Sequence, residues 1–90
     1  MTKNPKSVNP EVVVRSPIQM GAALLRFRKL APWTQQQAGS RAAIKQALVS
    51  RIEAGVPGTS LGTLFKLLAG LDLELVVRKR KKTGRLGTKE

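Results

Sequence analysis

At 90 residues the chain has room for one domain, and a formal net charge of +12, from 17 Lys and Arg against 5 Asp and Glu, directs it toward polyanions. It has no Cys and no His, which excludes disulfides, thiol chemistry, imidazole bases and the usual zinc sites. Glu11, Glu53, Asp72, Glu74 and Glu90 are scattered along the sequence without a clustered pair, so neither an enzyme nor a cofactor or metal site is expected. Duplex DNA and an anionic membrane surface both suit the charge. Aromatic residues make up only 3% of the chain and Tyr is absent, which disfavours readers that stack single-stranded bases and leaves duplex DNA as the first expectation. No apolar stretch approaches the ~20 residues of a membrane span and no signal-like segment opens the sequence, so the expected compartment is the cytoplasm.

Residues 1–15 read as a flexible N-terminal arm, in which Val12, Val13 and Val14 can form a short strand if a partner edge exists. Ser16 and Pro17 then start a first helix, the Ser as a cap and the Pro in a first turn that needs no N–H. Met20, Ala23, Leu24, Phe27 and Leu30 recur at three- and four-residue spacing as an apolar stripe, Arg26 and Lys29 face water, and Pro32 ends the helix. Trp33 reads as a core plug between helices. Thr34 caps a second helix that runs from Gln35 to about Arg41, and Ala42 and Ala43 make the link. A third helix starts near Lys45, turns Leu48, Val49 and Ile52 inward, and stops before Gly55, whose tolerance of positive φ suits a helix end. After the turn Val56-Pro57-Gly58, Thr59 or Ser60 caps a fourth helix with Leu61, Leu64, Phe65, Leu68 and Leu71 on one face.

From Asp72 the rhythm changes to two residues, so Leu73, Leu75 and Val77 share one face of a dimerisation strand near 73–78. A lone strand cannot satisfy its own backbone, and the domain has no other strong strand, so pairing with a second copy is expected. Size points the same way, because a domain near 60 residues buries only about 60% of its chain surface. The expected fold over residues 16–78 is all-α, a small helical bundle plus one C-terminal β-strand pairing across a homodimer. Residues 79–90 read as a basic, disordered tail; from Arg78 onward seven basic residues and one acid supply half of the net charge. That tail is either a solvated end or an arm for DNA phosphate or a partner.

Residues 33–53 carry the functional motif. Trp33-Thr34-Gln35 opens the second helix, Ala38 and Gly39 are small where two helices must cross closely, and the third helix closes on Ile52-Glu53. This pattern resembles the helix-turn-helix of Xre and phage Cro/C1 repressors. That family usually has Gly at the turn where this chain has Ala43, so a left-handed backbone there would carry strain. Extended outward, Ser16-Pro17, Arg28, Ile44-Lys45-Gln46-Ala47, Ser50, Glu53 and the terminal strand resemble the HipB-type antitoxins over residues 16–77. The resemblance implies a homodimer on double-stranded operator DNA that represses its own operon and holds a HipA-type kinase toxin. An Xre or phage-type regulator without a toxin is the alternative, and a pure interaction protein with an acidic partner or membrane is a third reading.

The resemblance also distributes roles. Lys45, Gln46 and Ala47 at the start of the third helix, with Ser50 and Arg51 one turn on, would read bases: Gln pairs with adenine N6 and N7, Lys donates to guanine, and Ala touches a thymine methyl. Gln35 and Gln36, beside a helix N-terminus, would hold phosphate. Thr34 serves first as a cap and second as a phosphate ligand. Arg28 and Glu53 are a structural pair bridging the first and third helices.

Overall fold

The computed structural model describes residues 11–81 and contains four helices, α1 (Pro17–Leu30), α2 (Gln35–Ala42), α3 (Gln46–Glu53) and α4 (Leu61–Gly70). The expectations for residues 1–10 and 82–90 lie outside the described residues. Short polar side chains set three of the helix starts. Ser16 accepts from the Gln19 N–H, Ser60 from the Thr63 N–H, and Thr34 forms a reciprocal capping box with Gln37. Helix α3 differs: Lys45 occupies its N-cap position and no side chain caps it.

Two helix ends use the same left-handed device without glycine. At the end of α2 the Ile44 N–H donates to the Gly39 carbonyl at 2.9 Å and the Ala43 N–H to Ser40 at 3.3 Å, with Ala43 at φ 59. This is the left-handed turn anticipated at Ala43. Helix α4 ends with the Leu73 N–H on the Leu68 carbonyl at 2.8 Å and the Asp72 N–H on Ala69 at 3.1 Å, with Asp72 at φ 61. Asp tolerates this backbone better than most residues. Gly55, at φ 80, follows α3 as expected.

Helix α2 packs against α3 and α4, while α1 packs against α3. Leu24, Ala38, Ala42, Val49, Ile52, Leu67, Leu68 and Leu71 form one buried cluster, with Met20, Trp33, Ile44, Leu64 and Leu73 at its margin. Trp33 is half-buried at that margin, and the Arg41 guanidinium lies over its ring at 3.8 Å from the centroid. Helix α4 is rotated from the face its sequence suggested. Leu67, which that face omitted, is 1% exposed, whereas Leu61 and Phe65 are 67% and 49% exposed. The cause is the close approach of α2 and α4: a Cβ on Gly70 would lie 2.8 Å from the Ala42 Cβ, which turns Leu64, Leu67, Leu68 and Leu71 inward. Leu30 and Leu48, also expected inward, are exposed at the rim, because Leu24 from α1 and Val49 and Ile52 from α3 already fill the shared core.

Residues 11–15 and 73–81 lie outside the helices, and neither stretch forms a β-bridge among the described residues. The segment expected to be a strand near 73–78 therefore follows α4 as chain without regular secondary structure, and no edge of it is paired among the described residues. Leu73 is half-buried, while Leu75, Val76 and Val77 are exposed, Val77 at 90%.

Candidate nucleic-acid interface

Helices α2 and α3 are joined by the turn 43–45, and the closeness of that turn depends on Gly39. A Cβ there would sit 2.8 Å from the Ile44 carbonyl oxygen, so the small residue is a steric requirement. Val49 and Ile52 anchor α3 inward. At 100° per residue, Gln46, Ser50, Ala47 and Arg51 occupy an arc of about 140° on the opposite side. All four are exposed, and Lys45 is exposed at the helix start. The five expected base-reading residues therefore share one solvent-facing surface.

The start of α3 favours an anion. The backbone N–H groups of Gln46 and Ala47 find no acceptor among the described residues, while Leu48 and Val49 donate to the Lys45 carbonyl at 3.0 and 3.3 Å. Lys45 thus adds a cation to the positive end of the helix dipole, where an acid or hydroxyl would ordinarily be favoured. A phosphate or a base-edge acceptor relieves both deficits. At the start of α2 the Gln35 and Gln36 N–H groups are likewise unpaired among the described residues.

A polar network fixes this start against the rest of the domain. Arg28 donates through Nε and a terminal nitrogen to the Glu53 carboxylate at 2.5 and 2.9 Å, and through Nη1 to the Trp33 carbonyl at 2.7 Å. The two side chains are only 9% and 5% exposed, so this is a buried, two-pronged ion pair joining α1 to the end of α3. The hydrogen bond to Glu53 raises the Arg28 pKa above its already high ordinary value, against the opposing effect of burial, and the guanidinium remains charged at every working pH. Gln35 joins the network by donating Nε2–H to Glu53 at 3.0 Å. That bond occupies one of its two amide hydrogens and leaves the other free to donate. Gln36 is exposed, whereas the Thr34 hydroxyl accepts from the Gln37 N–H at 3.0 Å as the cap.

Arg41 is a positioning residue that nothing in its local sequence singles out. Besides covering Trp33, it donates Nε–H to the Gly70 carbonyl at 2.7 Å and approaches Asp72 at 3.3 Å. It thereby ties the end of α2 to the point where the chain leaves α4. A charged residue next to the helix-turn-helix is so ordinary in this basic chain that no local pattern marks it.

Among the described residues no helix is long and apolar enough to cross a membrane. A family model described as helix-turn-helix matches residues 24–77. Antitoxin HipB of Escherichia coli O6:H1 strain CFT073 is 36% identical over 64 residues, which cover 71% of this chain and 68% of that protein. The solved structure described as a HipA-HipB-O2-O3 complex aligns with 79% of this chain and 100% of the matched one, at 32% identity and a TM-score of 0.73. The HipB-O4 20mer complex aligns over the same shares, at 32% identity and a TM-score of 0.74.

Proposed function

This chain belongs to the helix-turn-helix family and, within it, to the HipB-type antitoxins, and from that premise we propose that it is a dimeric repressor and antitoxin. It binds double-stranded operator DNA, represses its own operon, and forms a complex with a HipA-type kinase toxin. The observation that carries the reading is the start of α3, uncapped, headed by Lys45, and continuous with the exposed arc of Gln46, Ala47, Ser50 and Arg51. The relatives solved as complexes with HipA and with O2, O3 and O4 support the same partners here.

In this reading Gln46 pairs with adenine, Lys45 donates to guanine, Ala47 touches a thymine methyl, and Ser50 and Arg51 extend the contact by a turn. The second amide hydrogen of Gln35, the side chain of Gln36 and the unpaired N–H groups of α2 hold a phosphate. Thr34 keeps its capping role. Residues 73–77 pair with the same residues of a second copy through Leu73, Leu75 and Val77, and the order of charges supports an antiparallel pairing. Acids Asp72 and Glu74 lie at the start of this segment and Arg78 and Arg80 follow it, so reversal of one copy sets acid opposite base. The exposed run 78–81 and the basic residues beyond it add phosphate contacts.

Footprinting on the chain's own promoter, with and without the protein encoded beside it, tests the reading. The expected result is protection of two half-sites whose centres lie about 34–36 Å apart or a multiple of that, and a slower complex when a kinase-fold neighbour is added. An unprotected promoter overturns the repressor reading, and a neighbour that never joins the complex overturns the antitoxin one.

A further inference from the structure

The function above does not account for the three valines near the N-terminus, which help to line a groove of about 690 Å³. The segment that follows α4 lines it too; taken with the valines as its two walls, it leaves Met20, Ala23, Leu24, Phe27 and Leu68 as the apolar lining between them. The two walls do not pair with each other. The backbone N–H groups of residues 12–14 and 74–81 find no acceptor among the described residues. Two β-prone segments thus present unpaired edges to a shared apolar trough. A globular partner surface cannot satisfy such edges, but an extended chain between them can satisfy both.

We infer that the groove receives residues 73–77 of a second copy, so that residues 12–14 become the outer strand of a four-stranded intersubunit sheet. The strand order is the N-terminal segment of one protomer, the C-terminal segment of its partner, the first protomer's C-terminal segment, and the partner's N-terminal segment. This order is closed under a two-fold axis, with each groove filled by the same element of the other copy. With one strand between them, the two walls stand about 10 Å apart, twice the usual strand spacing. Arg78 on one side lies 3.9 Å from Glu11 on the other, an approach that two long side chains can make across that span. Charge supports the occupant as well. The entering segment begins at Asp72 and Glu74 and ends at Arg78 and Arg80, so in reverse direction it lays acid against base on one wall. The outer strands also cover the edges that a bare two-stranded ribbon would expose.

This inference rests on the proposed pairing of residues 73–77, and one experiment separates the two. NMR-detected amide exchange on the full chain, followed across the protein concentrations at which it dimerises, is expected to show protection that rises with concentration in residues 73–77. It is also expected to show it in at least one of Val12, Val13 and Val14. Protection of 73–77 without any concentration-dependent protection of 12–14 overturns the four-stranded sheet and leaves the dimer strand standing. No protection in either overturns both. Val13→Asp supplies a second measurement: Val13 is half-exposed in the single chain, so the helical fold has little to lose, yet the dimer dissociation constant in sedimentation equilibrium is expected to rise by about tenfold or more. An unchanged constant overturns the inference.

Discussion

The helix-turn-helix and the two terminal segments differ in how far one chain completes them. Around α2 and α3 nearly every charged or polar group that the fold buries has an internal partner, as in the Arg28, Glu53 and Gln35 network. The groups left unpaired there, at the starts of α2 and α3, face solvent together on the surface proposed for DNA. In the terminal segments the unmet groups are backbone amides beside exposed Leu75, Val76 and Val77. In the proposed reading, the unit that must present a fixed geometry to DNA is finished within the monomer, whereas the apolar, unpaired chain is left for a second copy to complete. Arg41 connects the two regions by holding Gly70 and Asp72 from α2, so the direction in which the chain leaves α4 is tied to the helix-turn-helix.

The largest effect is expected inside the completed unit. Arg28→Ala leaves the Glu53 carboxylate buried without its cation, and a loss of roughly 3 to 5 kcal/mol should appear in urea unfolding. A loss under 1 kcal/mol would mean that water replaces the pair and that the network does not hold α3. Leu75→Asp acts on the other region. It should turn the dimer into monomer in sedimentation velocity with the far-ultraviolet helix signal intact, and lower operator affinity by about 10²-fold or more as the half-sites are uncoupled. A variant that still sediments as a dimer places the interface elsewhere.

Gln46→Ala touches only the reading face. It should leave stability unchanged and relax preference at one base position by about 1 to 3 kcal/mol, measurable as altered competition between single-base operator variants. If every variant weakens equally, Gln46 contacts the backbone of the DNA. The smallest expected change is a gain. Ala43→Gly removes the side-chain penalty of a left-handed turn at φ 59 and should stabilise the domain by about 1 kcal/mol, a melting shift of roughly 4 to 8 °C. A lower melting temperature would show that the flexibility added to the unfolded chain outweighs the relief.

Much of the fold is legible in the sequence because its signals are local. Ser16, Thr34 and Ser60 mark helix starts through side chains that reach only a few residues, and Gly55 marks an end by its own backbone freedom. The Arg28–Glu53 pair, 25 residues apart, came from family resemblance, since no local rule joins them. Helix α4 shows where local signals run out. Apolar residues at 61, 64, 65, 67, 68 and 71 contain two overlapping stripes, and period alone does not choose between them. The approach of Gly70 to Ala42 chooses, and Phe65 is left facing outward.

The start of α3 carries the same lesson at the candidate site. The sequence supplies its residues and their common face, because a 3.6-residue period with Val49 and Ile52 inward sends Gln46, Ala47, Ser50 and Arg51 outward. It does not supply the missing cap at Lys45 or the bond from Gln35 to Glu53, which depend on how α2 and α3 meet. The sequence by itself thus determined four helices, an exposed face of α3 and a strongly basic charge, all from composition and short-range backbone and side-chain preferences. Tertiary structure alone decided which face of α4 is buried, that Arg41 ties α2 to the chain leaving α4, and that the segments before α1 and after α4 line one groove. Those outcomes depend on the contacts of residues distant in the chain, which no window of sequence contains.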